Sequence, residues 1–369
     1  MELKQRGVDA TTGATAGTLT LGKAKLELPN RLPTGSEANA ARVVQQRDRF
    51  EGQELFVAAK LMNEEKLKGL LTEEEALQKF AKNVQGDARL AGANAKMLFL
   101  VMRGEAGIGD SDHLKTLLDL QWLTDQDAIL VQHGVSASSE DITQDYTEAK
   151  RWLKARGGDK PLLPVVTPVP RQPEAERLMK ILVDRGAQGV VLDLQGKFPY
   201  HLLRAVEAVK RKNPELWVHA MQAPPKAKFG GKSLHLGWGM SLPIFGVDSF
   251  SRWVVPPPPV PVTREKINFW EPANWGVMRL ADYQNTYGQK LACKCAICRD
   301  EKDVDSFLTG DPRMLLAKSK THDAFAQRAE LEKVQTTIRD GKFGEYVRKK
   351  RYAKELQDAM KEAPKEDDG

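Results

Sequence analysis

Gly189-Val190-Val191-Leu192-Asp193, then the helical pattern from Tyr200 to Lys212, then Leu216-Trp217-Val218-His219-Ala220: this stretch decides the fold. Both flanking runs are apolar almost without interruption, as strands covered on two faces are, rather than apolar at every second residue. Two such strands joined by an amphipathic helix form a β-α-β unit, and its strands lie parallel. The same alternation extends toward the N-terminus. Strand-like runs Met97-Leu98-Phe99-Leu100-Val101-Met102, Ala128-Ile129-Leu130-Val131 and Leu162-Leu163-Pro164-Val165-Val166 alternate with helical patterns from His113 to Leu123, Thr147 to Ala155 and Pro173 to Arg185. Repeated β-then-α units in a chain of 369 residues predict an α/β fold, a (β/α)8 TIM barrel in preference to an open doubly wound sheet. No G-x-G-x-x-G or G-x-x-x-x-G-K-[ST] run follows any of these strands, which counts against a nucleotide-binding open sheet.

The flanks read differently. Residues 17 to 34, from Gly17-Thr18-Leu19-Thr20-Leu21-Gly22 through Leu26-Glu27-Leu28-Pro29 to Pro33-Thr34, read as a short hairpin ahead of the barrel. Pro256-Pro257-Pro258-Pro259-Val260-Pro261-Val262 cannot donate ladder hydrogen bonds and reads as an extended connection. A long helix is expected from about Thr321 to Met360, and a charged, frayed tail over 361–369. The expected division is an N-terminal hairpin over 1–40, the barrel over 41–285, a metal subdomain with a basic C-terminal helix over 286–360, and the tail.

Composition narrows the function. Hydrophobic residues make up 41% of the chain and charged residues 29%, which fits a globular protein and excludes a disordered one. The net charge of +6 suits an anionic partner such as nucleic acid, although a mildly basic enzyme would carry the same excess. No apolar run approaches the roughly 20 residues of a membrane span, and Met1-Glu2-Leu3-Lys4-Gln5-Arg6 leads into no hydrophobic signal core. A cytoplasmic protein without a membrane association is expected.

All three cysteines lie in Cys293-Lys294-Cys295-Ala296-Ile297-Cys298, and His322 follows. Three thiolates and one imidazole make a tetrahedral zinc set with no position left for water, so the expected Zn2+ is structural. Three cysteines grouped for a metal also suit a reducing compartment rather than a disulfide framework.

The run Cys293 to Cys298, then His322-Asp323-Ala324-Phe325, then Ile338-Arg339-Asp340-Gly341-Lys342-Phe343, resembles the zinc subdomain and last helix of the tRNA-guanine transglycosylase family. Thr18-Leu19-Thr20-Leu21 leading to Leu28-Pro29 and Leu32-Pro33-Thr34-Gly35 is similar to that family's opening hairpin, and Gly246-Val247-Asp248-Ser249-Phe250 to its last barrel strand. The resemblance is strong over 290–345 and thin over 40–240. It implies an irregular (β/α)8 barrel with a zinc-binding subdomain inserted before the last helix, a dimer formed through that subdomain, and exchange of guanine in nucleic acid for a 7-deazaguanine. In that reaction one aspartate attacks the anomeric carbon and a second acid serves the bases, on a base flipped out of its stack.

Four positions depart from the family's pattern. The nucleophile is the second acid of Gly-x-Asp-x-Phe-Asp, and here that position is Ser251; a serine with no base beside it does not replace a carboxylate. The Asp-Ser-Gly-Gly-Phe turn has only Val101-Met102-Arg103-Gly104-Glu105 as counterpart. The base-reading acid falls near Gln132-His133-Gly134, and Val166-Thr167-Pro168-Val169-Pro170 stands where Gln-Gly is usual. The remaining candidates are Asp248 for catalysis, with a strand-end structural acid as its alternative, and His133 and Asp193 for substrate contact, with structural or capping roles as theirs.

Lys342, Arg348, Lys349, Lys350, Arg351 and Lys354 form a basic cluster on the expected last helix, where relatives meet the phosphate backbone; interleaved Glu345, Glu355 and Asp358 would equally make a solvated face. Lys226, Lys228 and Lys232 suggest a second basic loop. Two functions follow. One is a non-catalytic, nucleic-acid-binding transglycosylase paralogue on tRNA or DNA, a homodimer or the accessory half of a heterodimer with a catalytic paralogue. The other is an active base-exchange transglycosylase with a displaced nucleophile.

Overall fold

The computed structural model describes residues 1–10, 12–46, 54–102, 111–133, 137–168, 171–224, 226–229, 232–252, 263 and 267–362. The proline-rich connection at 256–262, residues 103–105, 134, 169–170 and 230–231 and the tail from 363 lie outside them.

The chain opens with an antiparallel sheet of β1 (Glu2–Val8), β2 (Thr15–Leu21) and β3 (Ala24–Leu28). It begins fifteen residues earlier than the expected hairpin, because β1 carries only alternating half-buried positions in a polar sequence. Then come β4 (Asn30–Leu32), α1 (Gly35–Val43), β5 (Leu55–Met62), α2 (Glu64–Thr72), α3 (Glu74–Leu90), β6 (Ala95–Met102), α4 (Ser111–Leu123) and β7 (Ile129–Val131). Strands and helices go on alternating through α5 (Ser139–Ala155), β8 (Leu162–Val166), α6 (Gln172–Asp184), β9 (Gly189–Asp193), α7 (Tyr200–Lys212) and β10 (Trp217–Ala223). A hairpin of β11 (Lys226–Phe229) and β12 (Lys232–Gly237) follows where a basic loop was expected, then a 3-10 segment, Trp238–Phe245, and β13 (Ser249–Arg252).

The main sheet is parallel and six-stranded, in the order β4-β13-β10-β9-β8-β7, and β5 and β6 form a parallel pair. Single parallel bridges join Thr34 to Val57 and Met97 to Ala128, so the six-stranded sheet and the pair touch, but the described strands do not form the one continuous eight-stranded sheet expected of a barrel. The main sheet takes in β4, so it starts inside the first forty residues assigned to the hairpin.

Alternate residues of these strands serve two cores, as the pleat requires. Val57, Met97, Leu130, Leu163, Val191 and Trp217 pack with Leu19 and Leu26 of the first sheet. Their neighbours Ile129, Val166, Val190 and Val218 pack beneath α4 to α7, and Phe56 and Leu98 beneath α1 to α3. The two-residue period that brought these runs into a parallel sheet therefore also separates an inner layer from the helix-covered one.

The C-terminal part holds β14 (Asn268–Glu271), β15 (Gly276–Arg279), α8 (Leu280–Tyr287), α9 (Ala296–Asp300), α10 (Val304–Phe307), α11 (Pro312–Arg339), α12 (Phe343–Arg348) and α13 (Arg351–Glu362). Three helices replace the single helix expected from Thr321 to Met360. Gly341, at φ 65°, ends α11: its N–H reaches the Ile338 carbonyl at 3.0 Å, and Lys342 N–H reaches Thr337 at 2.8 Å. These are the paired bonds of a Schellman stop, which a side chain with a Cβ would strain. Asp9, at the end of the first sheet's opening strand, then accepts the Phe343 N–H at 2.9 Å and caps α12.

Glu330 in α11 holds this region together. Its carboxylate accepts from Trp275 Nε1 at 2.8 Å, Tyr346 Oη at 2.5 Å, Lys350 Nζ at 2.6 Å and Lys333 Nζ at 3.0 Å. Burial pushes its pKa up, but hydrogen bonds from Lys350, Tyr346 and Trp275 outweigh that and hold it below the ordinary 4.5. A depressed carboxylate stabilises the fold above its unfolded pKa, and that stability is lost as pH falls through the folded value. Glu330→Gln is expected to cost about 3–5 kcal/mol at pH 7 by leaving Lys350 buried without its counter-ion. In urea titrations the gap from wild type should narrow as pH falls below 4.5; a gap independent of pH would refute the charge argument.

Candidate metal centre and strand-end residues

Cys295 precedes the first turn of α9, Cys298 lies within that turn, and Cys293 sits two residues upstream. α11 crosses this knuckle and presents His322. The three Sγ atoms and one ring nitrogen all lie within 4.8 Å of one another. His322 Nδ1 is 3.3 Å from Cys295 Sγ and 3.2 Å from Cys298 Sγ. A tetrahedral zinc ion with bonds of about 2.3 Å to sulfur and 2.0 Å to nitrogen needs donor separations of roughly 3.5–3.8 Å, so the cluster is near the required size.

The surroundings prepare the imidazole for this role. His322 Nε2 lies 2.9 Å from the Trp270 carbonyl, the position of an outer partner to a metal-bound histidine, and Nδ1 faces the sulfurs. Phe269 stacks on the ring at 4.0 Å between centroids, and the imidazole is wholly buried. Hydrogen bonds from Cys295 and Cys298 pull the Cys293 thiol down from its ordinary value, while contacts with Cys293 and Cys295 push the Cys298 thiol up. Cys293, Cys295, Cys298 and His322 could hold a metal ion, and a three-sulfur, one-nitrogen set suits zinc.

The strand-end candidates are scattered. Asp248 stands just before β13, at the opposite end of that strand from Ser251, and is 1% exposed. It accepts from Lys210 Nζ at 2.7 Å, Thr15 Oγ1 at 2.7 Å and the Val218 N–H at 2.8 Å. Burial pushes its pKa up against the pull of Lys210. These contacts tie β2, α7, β10 and β13 together. The carboxylate is enclosed at the strand's N-terminal end, whereas parallel α/β sheets carry their chemistry at the C-terminal ends of strands. Its geometry is that of a structural acid and gives no support to catalysis.

Ser251 points into the inner layer and is fully buried. Its hydroxyl is 3.1 Å from Met221 Sδ and 3.4 Å from His219 Nε2, while His219 Nδ1 meets Ser249 Oγ at 2.9 Å. Burial lowers the pKa of His219 to about 3, so the imidazole is neutral at pH 7 and a poor base for the serine.

Asp193 ends β9 and lies at the C-terminal edge of the sheet, in register with Met221 of β10. Its Oδ1 accepts from Gln222 Nε2 at 2.7 Å and the Gln195 N–H at 3.1 Å, and burial pushes its pKa up. Gln195 and Gln222 both have left-handed backbones, at φ 51° and 56°. Such strain costs about 1–3 kcal/mol at each residue and gathers at functional sites. Neither glutamine was singled out from the sequence; the available signal was Gln195-Gly196, a Gln-Gly pair that follows β9 rather than β8.

His133 is placed elsewhere. Its ring is buried between β7 and α5 with Nδ1 2.7 Å from Asp145 Oδ2, and its Nε2 has no partner among the described residues. Next to it, the Gln132 amide exchanges two 2.9 Å hydrogen bonds with the Leu100 backbone and so substitutes for a strand residue between β7 and β6.

Of the basic cluster, Lys342, Arg348, Lys349, Arg351 and Lys354 are exposed. Lys350 is not: it is 7% exposed, paired with Glu330, and lies over the Tyr346 ring at 4.6 Å. Its charge is already neutralised inside the protein and is not presented with the others. Among the described residues no helix is long and apolar enough to cross a membrane. No protein-family model matches the sequence, and no curated protein matches it.

Proposed function

We propose that the protein is a transglycosylase-like, nucleic-acid-binding protein of the cytoplasm, a non-catalytic or accessory paralogue in 7-deazaguanine modification of tRNA or DNA. It works as a homodimer or beside a catalytic partner. Its scaffold is an irregular (β/α)8 barrel: the bridges Thr34–Val57 and Met97–Ala128 supply the two links a closed ring of eight parallel strands needs. The inner core shared by those strands supports the same reading. Zn2+ on Cys293, Cys295, Cys298 and His322 is structural, since four protein donors leave no site for water.

Ser251 carries the proposal. It occupies the nucleophile's position in the family's motif, is sealed in the inner layer, and has only the weakly basic His219 beside it. Exposed Lys342, Arg348, Lys349 and Arg351 supply the phosphate contacts. A second reading, active base exchange, is favoured by one observation: Asp193 is a half-buried acid at a strand C-terminal end, hydrogen-bonded to two glutamines with left-handed backbones. It replaces Asp248 as the candidate displaced acid.

Incubation of the purified chain with tRNA or duplex DNA and radiolabelled guanine should incorporate no label, while filter binding should detect the nucleic acid. Label incorporation abolished by Asp193→Asn would overturn the accessory reading in favour of the enzyme. The triple change Arg348→Gln, Lys349→Gln, Arg351→Gln should flatten the slope of log affinity against log salt by about two to three units if these residues contact phosphates. An unchanged slope would remove this face from the interface.

A further inference from the structure

Outside the inner layer, the ends of β4 and β13 and the side of α11 border a small, half-open cavity of about 20 Å³. Arg31, Arg252, Asp323 and Gln327 supply its polar wall; Phe250 and Val277 supply its apolar wall. Arg31 is 4% exposed, and one of its guanidinium nitrogens pairs with Glu37. Among the described residues the other, Nη1, has no hydrogen-bond partner, and neither does Nη1 of Arg252, which lies 3.6 Å from Asp323 Oδ2. Gln327 makes no hydrogen bond to the described residues.

A buried guanidinium nitrogen without an acceptor is costly, and two around one cavity form an incomplete site. The charge balance points the same way. Among the described residues, Arg31 and Arg252, with Lys320 close enough to Arg252 and Glu37 to feel both, meet the carboxylates of Glu37 and Asp323. Glu37 is already occupied by Arg31 and by the N–H and hydroxyl of Thr34.

We infer that this cavity binds a phosphate group. Planar guanidinium forks match the oxygens of a tetrahedral oxyanion, and the Gln327 amide adds a neutral donor. The site stands on its own geometry and does not depend on the transglycosylase-like reading.

Inorganic phosphate, added to the full-length protein at matched ionic strength against chloride, should raise the Tm saturably and broaden the phosphorus NMR signal of the added phosphate. Arg252→Gln should abolish both effects. Gln327→Leu, which leaves every ion pair in place, should weaken phosphate binding at least about threefold, a loss of roughly one hydrogen bond. It serves as the second variant should Arg252→Gln not fold. A single-stranded oligonucleotide with and without a 5′-phosphate distinguishes the sources: competition by the phosphorylated form alone assigns the site to a terminal phosphate, and competition by both forms to a backbone phosphodiester. Binding of inorganic phosphate without competition from either assigns it to the free ion. Absence of both the Tm rise and the broadening in the wild type, or their persistence at full size in both variants, would overturn the inference.

Discussion

Cys298→Ser should empty the metal centre and unfold the C-terminal subdomain while the parallel sheet survives. Structural zinc supplies about 10–16 kcal/mol of apparent binding energy in small metal-binding peptides at neutral pH, and a ligand set missing one thiolate forfeits much of it. The loss should be local. α9 is a five-residue helix, too short to stand alone, and is tied to α11 through the cluster. Metal analysis should find one zinc per wild-type chain and none in the variant. Hydrogen exchange should then accelerate over residues 291–307 and in the half of α11 that carries His322, with β8, β9 and β10 still protected. A wild type without zinc, or a variant with unchanged exchange, would refute a structural metal.

Asp248→Asn should be the most damaging single change within the parallel sheet. The substitution keeps size and shape but leaves Lys210, 1% exposed, as a buried charge facing a neutral amide. Breaking one side of a buried pair costs about 3–5 kcal/mol, and the Thr15 and Val218 bonds weaken with it. Urea denaturation should show the midpoint falling with little change in slope. The companion change Lys210→Met in the same chain should recover part of the loss, because it removes the orphaned charge. If Asp248→Asn were as stable as wild type, the carboxylate would not be a structural acid, and its reading as a displaced nucleophile would return.

The parallel strands were legible because burial on two faces writes an unbroken apolar run. β8 and β9 span the residues read from the sequence, Leu162–Val166 and Gly189–Asp193, and β10 starts one residue later than expected. β1 and β4 were not legible as strands, since they are short or polar, with Lys4, Gln5, Asn30 and Arg31 among their residues, and the strands they pair with, β2 and β13, lie elsewhere in the sequence. The metal cluster was legible because its spacing is local and no other cysteine competes. The buried partners of Asp248 and Lys350 were not legible for a shared reason. A charged side chain in a sequence gives no sign of its counter-ion, and theirs lie far along the chain, at Lys210 and Glu330. The break in the long C-terminal helix was marked only by Gly341, a signal that an otherwise helical pattern overrode.

The bond from Asp9 to the first turn of α12 spans 334 positions of sequence. β4 likewise pairs with β13, Asn30 beside Ser249. During synthesis, then, the first sheet can form early but cannot dock in its final place. Its cap partner follows 334 positions later, and the neighbour of β4 emerges only after the run of alternating strands and helices from β5 to β10. Contacts of such long range slow the search for the native state and leave the edge of β4 open in the meantime. Shortening the chain at either end should therefore disturb folding at the other, and the order in which the ends emerge makes this protein a late-committing folder.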